Sequence, residues 1–189
     1  MKKKNKIILW SLMSFLILAL AGFGVLMFLR FKPKETVFLG NKADVTWYDE
    51  EGTEFVIDTV DELYDVLTLS QFYDFKGQTI KLGADLVVNE GNAKDWTEKA
   101  PERVWYPISN FSGTFDGQGH SISGLYGKGI DGSVGMFTNT GKKCVIKNFR
   151  LLNSYFTSFS NGGTGSIVGT GSVTLDTVYS DAIVERLCM

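Results

Sequence analysis

The chain has 189 residues, 44% of them hydrophobic and 21% charged, with a formal net charge of −2; that length holds one ordinary domain and a terminal appendage, and excludes two large domains. Seven of the 19 basic residues and none of the acids fall in the first 34 positions, leaving 12 bases against 21 acids beyond them, a balance that repels phosphate backbones and excludes nucleic acid as a partner. Two cysteines and one histidine are too few for a disulfide framework, a zinc site or a histidine-rich metal site, and no metal or cofactor is expected.

In chain order, the first element is the uncharged run Ile7 to Leu29, flanked by Lys2, Lys3, Lys4 and Lys6 before it and Arg30, Lys32 and Lys34 after it. As a helix it would match about 30 Å of hydrocarbon, so residues 1–34 are expected to be a cytoplasmic lysine-rich tip and a transmembrane signal-anchor, the membrane being the partner of Ile7 to Leu29. Residues 35–189 would then be extracytoplasmic at the cell membrane. Ala19-Leu-Ala21 leaves a cleaved signal peptide open, although cleavage there would expose the apolar Gly22 to Leu29.

Residues 35–77 read as a cap. Pro33 discourages continuation of the preceding segment, and Asp44 to Ile57 places two β-prone runs about an acidic, glycine-containing turn, which predicts a β-hairpin. Thr59 and Glu62 have capping-box spacing, while Val60, Leu63, Tyr64 and Leu67 fall on one stripe, predicting a helix to about residue 71.

From Gln78 to the end, helical periodicity gives way to short β-prone runs between glycines: Thr79 to Leu82, His120 to Ser123, Val145 to Phe149 and Ser172 to Val178. Ile122, Ile146 and Leu175 recur at intervals that suit a stacked repeat, and stacking would give each run the apolar cover it lacks alone. Residues 78–189 are therefore expected to be β-helix repeats, with those three residues stacked inward and the polar insertion Asn89 to Arg103 looping out. Cys144 shares the inward alternation of Ile146; a bridge to Cys188 stays open. Only Glu185-Arg-Leu-Cys-Met189 follows Val184, too little for a terminal cap. Truncation of a longer surface protein, or end-to-end pairing with another copy, is expected.

The segments Trp105-Tyr-Pro-Ile108, Phe111-Ser-Gly-Thr-Phe-Asp-Gly-Gln-Gly-His-Ser-Ile-Ser-Gly-Leu-Tyr126, Gly135-Met-Phe-Thr138, Val145 to Tyr155 and Gly165-Ser-Ile-Val-Gly169 resemble bacterial cell-surface proteins that carry the GLUG motif. The likeness extends over roughly residues 46–184. It implies a mainly β fold, a short right-handed parallel β-helix (solenoid) with an amino-terminal hairpin-plus-helix cap, here preceded by one transmembrane helix. It is specific for fold and says little about activity.

No catalytic residues are assigned. Asp116 and His120 could meet across a turn, but Asp116-Gly117 is also favoured turn chemistry. Polysaccharide-cleaving enzymes need clustered carboxylates, whereas Asp116, Asp131, Asp176, Asp181 and Glu185 are scattered. The expected function is therefore adhesion or recognition of a glycan or surface protein, not catalysis. A lyase or glycosidase, or a relic of one, is the alternative, with Asp176 and Asp181 its first candidates. Flat aromatic faces stack on sugars and anchor interfaces, which makes Trp47, Tyr48, Trp96, Trp105 and Tyr106 the candidate ligand-binding residues. The acidic run Asp49 to Glu51 reads as a solvated turn, with weak calcium binding as its other use.

Overall fold

The computed structural model describes residues 36–38, 41–43, 45–129, 132–159 and 161–187. The run Ile7 to Leu29 and Cys188 lie outside them. Strands β1 (Thr36–Phe38) and β2 (Asn41–Ala43) form an antiparallel pair. A 3₁₀ turn, Val45–Trp47, leads to β3 (Glu54–Ile57), and helix α1 (Val60–Leu69) follows. Then come β4 (Thr79–Leu82), β5 (Leu86–Val87), a 3₁₀ turn at Ala93–Thr97, β6 (Ile108–Ser109), β7 (Thr114–Asp116) and β8 (Ser121–Ser123). The chain continues through β9 (Tyr126–Gly129), β10 (Phe137–Thr138), β11 (Thr140–Leu152), β12 (Tyr155–Ser158), β13 (Gly171–Ser180) and β14 (Ile183–Arg186).

The helix begins where the capping box predicts. Glu62 N donates to Thr59 Oγ1 at 3.2 Å and Thr59 N donates to Glu62 Oε2 at 3.0 Å, satisfying backbone donors that the first turn leaves without partners. Its buried face, Leu63, Val66 and Leu67, faces the core. It ends at Ser70, whose hydroxyl donates to Leu67 O at 2.7 Å and accepts from Ser109 N at 3.1 Å.

Four sheets occur among the described residues, and only the β1–β2 pair is antiparallel. The largest runs β3-β4-β7-β11, with β13 also on β11; β8 and β5 continue from the far half of β11. A smaller parallel sheet orders β14-β12-β9, and β6 pairs with β10. Parallel pairing sets one apolar position beside the next: Phe55, Ile80, Phe115, Ile146 and Leu175 stand side by side across β3, β4, β7, β11 and β13. The middle three have no exposed surface.

Four expectations are corrected. The described residues form a mainly β structure of mostly parallel sheets, not the expected right-handed parallel β-helix, and the run expected to be a transmembrane helix lies outside them. Strand length runs from 2 to 13 residues, β11 pairs with three strands, β7, β8 and β13, and no described helix is long and apolar enough to cross a membrane. The Asp44 to Ile57 hairpin is absent: β3 pairs in parallel with β4, and the first run turns into the 3₁₀ segment. The register also differs. Ile146 does lie beside Leu175, but Ile122 lies beside Leu151, because Asn148 takes a left-handed φ of 51° and divides β11 between β7 and β8. Leu175 is 51% exposed rather than inward.

The polar insertion Asn89 to Arg103 docks instead of looping out. Asn153 accepts from Ala93 N at 3.0 Å and donates to Gly91 O at 2.8 Å. Asn89 donates to Arg103 O at 2.7 Å and to Gly124 O at 2.8 Å. Gly124, at φ 80°, has the Asn89 backbone where a side chain would sit, so only glycine fits.

Candidate functional site

Aromatic side chains cluster where the first 3₁₀ turn meets the chain that follows α1. Tyr48 follows the first 3₁₀ turn and meets four rings: Trp47 at 6.1 Å, Phe55 and Tyr73 each at 5.1 Å, and Phe75 at 5.5 Å between centroids. The next residues reverse in a tight turn, with Gly52 N donating to Asp49 O at 3.0 Å. After α1 the chain folds back over that turn. Phe72 and Tyr73 both donate to Leu69 O at 2.9 Å, and left-handed Phe75 and Gly77 (φ 54° and 81°) redirect it into β4.

Gln78 ties the two segments. Its Nε2 donates to Glu50 O at 3.1 Å and Gly52 O at 2.9 Å, while its Oε1 accepts from Tyr48 OH at 3.0 Å. The result is an open concavity of about 360 Å³ lined by Tyr48, Glu50, Phe72, Tyr73, Asp74 and Gln78 among others. Phe72 is 66% exposed. Tyr73 OH donates to Glu50 Oε1 at 2.7 Å, and that bond to a carboxylate, helped by burial, pushes its phenol up to about 12. Tyr48 is raised as well, chiefly by burial. Both therefore present neutral hydroxyls at ordinary pH. Three rings beside carboxylates and hydroxyls can stack on a sugar face and accept its hydroxyl hydrogens.

The sequence-predicted residues separate. Tyr48 lines the concavity. Trp47 is half-buried beside it, its Nε1 donating to Asp65 Oδ2 at 3.1 Å. Trp105 is buried, set edge-on to Tyr64, and its Nε1 donates to Met136 O at 3.2 Å. Trp96 is also buried; it packs edge-on against Tyr126 at 6.2 Å and holds the insertion down. Tyr106 is exposed, away from the concavity's lining. Sequence reading missed Phe72, Tyr73 and Asp74. No local signal marked them: they follow the helix, and the reversal after α1 brings them to Tyr48.

Of the acidic candidates, Asp116, Asp181 and Glu185 are held by neighbouring donors, as is Asp85, while Asp176 is exposed and Asp131 lies outside the described residues. Burial pushes the Asp116 carboxyl up, but the Gln118 amide, the Asn148 side chain and Lys147 together outweigh it and hold the group below its ordinary value; their distances are 3.0, 3.1 and 3.2 Å. Asp85 accepts from Ser121 N at 2.7 Å and Oγ at 3.0 Å, which lowers its pKa, with His120 Nδ1 3.5 Å away. Asp181 accepts from Asn153 N, and Glu185 from Tyr155 OH, each at 2.7 Å. Burial pushes the Cys144 thiol up to about 12, which keeps it protonated and unreactive. Among the described residues no three histidine, cysteine or acidic groups converge where a metal ion could be held.

Over 160 residues the chain is 29% identical to Halomucin from Haloquadratum walsbyi (strain DSM 16790 / HBSQ001), a likeness that takes in 78% of this chain and 2% of Halomucin. No protein-family model matches the chain. No solved structure matches it either.

Proposed function

We propose that this chain is a surface-associated recognition module that binds a glycan through the concavity formed by Tyr48, Glu50, Phe72, Tyr73 and Asp74, and that it is not an enzyme. One observation carries the reading: Phe72 keeps 66% of its surface in water beside two more aromatic rings and two carboxylates, a flat apolar face set among hydrogen-bonding groups. The likeness to Halomucin and the GLUG-like segments support a surface setting. So does the uncharged run Ile7 to Leu29 with its leading lysines, which favours residues 35–189 on the outer side of the cell membrane. The engagement of Asp85, Asp116, Asp181 and Glu185 by neighbouring donors supports binding over hydrolysis.

A glycan array probed with the full chain tests this, with Phe72→Ala as the comparison. Removing the stacking face should weaken binding about tenfold, a loss of roughly 1.4 kcal/mol. Binding that Phe72→Ala leaves unchanged would move recognition elsewhere. Shortening of any bound polysaccharide on incubation would favour the lyase or glycosidase alternative.

A further inference from the structure

The largest sheet carries a second side-by-side row next to its apolar one. Val56, Lys81, Asp116, Lys147 and Asp176 occupy it in β3, β4, β7, β11 and β13. From Lys81 onward the sign alternates at every strand. Lys147 Nζ lies 3.2 Å from Asp116 Oδ2, so the alternation is expressed as an ion pair at the centre of the sheet. Asp176, at the end of the row, has no ion-pair partner among the described residues; its Oδ1 accepts from Thr177 Oγ1 at 3.0 Å.

The apolar row ends at the same place. Among the described residues β13 pairs with β11 alone, and its other edge leaves Leu175 51% and Tyr179 57% exposed. An open edge with apolar side chains is a template for another strand. We propose that the free edge of β13 takes a parallel strand from another polypeptide, with an apolar residue beside Leu175 and a lysine or arginine beside Asp176.

Two observations define that occupant. Continuity with the β11–β13 ladder sets the direction and the apolar position, since Ile146 already fills the place beside Leu175 on the opposite edge. Charge complementarity sets the neighbour, since opposite charges side by side stabilise a strand pair and like charges destabilise it. Ile80-Lys81 in β4 and Ile146-Lys147 in β11 are this chain's own examples of the pattern. A second copy fits less well. Its β13 edge brings another Asp176, and the other terminal strand of the sheet, β3, holds Val56 in this row.

The probe is a labelled synthetic peptide of residues 144–152 carrying Cys144→Ser, compared with the same peptide carrying Lys147→Glu. Fluorescence polarisation against the full chain in mild detergent should show the lysine peptide binding about tenfold more tightly. Asp176 is exposed, and an Asp176→Lys chain should reverse the preference; that gain of binding to the glutamate peptide also shows that the variant is folded. No binding of the lysine peptide, equal binding of both peptides, or an unchanged preference in Asp176→Lys would overturn the proposal. Dimers that neither peptide displaces would assign the edge to a second copy and overturn it too.

Discussion

Phe55 and Leu175 stand at opposite ends of one row of apolar side chains, yet Phe55 is 9% exposed and Leu175 51%. Phe55 owes its cover to Trp47 and Tyr48, whose rings lie 5.9 and 5.1 Å away. Those residues belong to a segment held in place through Gln78 and Asp65. At the other end no described element lies beyond β13. A parallel stack thus gains its burial from neighbours on both sides, and an end is as stable as whatever lies across it.

The sharpest test compares two residues of the same row. Ile146→Ala empties a fully buried site and should cost about 2 to 5 kcal/mol, because the surrounding sheet relaxes only partly around the cavity. Leu175→Ala removes a side chain already half in water and should cost less than about 1 kcal/mol. Chemical denaturation of the two variants measures both. Equal losses would mean that Leu175 is covered in solution, which would end the contrast between the two ends.

Next in size is the tie at the covered end. Gln78→Ala removes the donor to Glu50 O and Gly52 O and the acceptor of Tyr48 OH. Carbonyls left without partners in a partly buried site should cost about 1 to 3 kcal/mol. The same variant should lose affinity in any binding assay that reads the concavity. A stability loss with unchanged ligand affinity would separate the cap from the site.

Acid should act on the middle of the ladder. Asp116 and Asp85 are held below their ordinary pKa in the folded chain, so the unfolded state binds more protons as pH falls. Their contributions are present above about pH 4 and lost progressively below it. Asp116→Asn should flatten the decline in stability between neutral and acid pH, as read from denaturation midpoints. A decline as steep as that of the parent chain would show that the donors around Asp116 do not discriminate its ionised form.

Some of this was written locally in the chain. The capping box of Thr59 and Glu62 and the stripe behind it predict α1 closely, because both are contacts within one turn of helix. The runs in β4, β8, β11 and β13 are legible for a similar reason, since alternation and β-branching act on each strand separately. Partner choice is not local. The Asp49 to Gly52 turn exists, yet β3 turns to β4 across the intervening helix, and nothing in residues 44–57 distinguishes that from a hairpin. The stacking of Ile122 failed through a single backbone state, the left-handed Asn148 that splits β11. The concavity was half legible: Tyr48 stood out as an aromatic, but Phe72 and Tyr73 reach it only through the reversal after α1.

That left-handed corner supplies the smallest expected effect. Thr177 has φ 56°, and it occupies the place next to Asn148, between the paired Lys147/Asp176 and Phe149/Val178. A β-branched residue is costly in this region, whereas asparagine visits it readily. At Asn148 the side chain also reaches Asp116 Oδ1 at 3.1 Å, but the residue standing at the matching place before Thr177 is Lys147, which offers no acceptor. Thr177→Asn therefore relieves the backbone without gaining that hydrogen bond, and it gives up the Thr177 Oγ1 bond to Asp176. The balance should stabilise the chain by about 0.5 kcal/mol, seen as a higher denaturation midpoint at unchanged slope. Thr177→Gly relieves the same steric conflict but loosens the unfolded chain, so it should gain less. If both substitutions destabilise, the corner in β13 is not held left-handed in solution, and the likeness between the middle of the ladder and its open end would stop at Asp176.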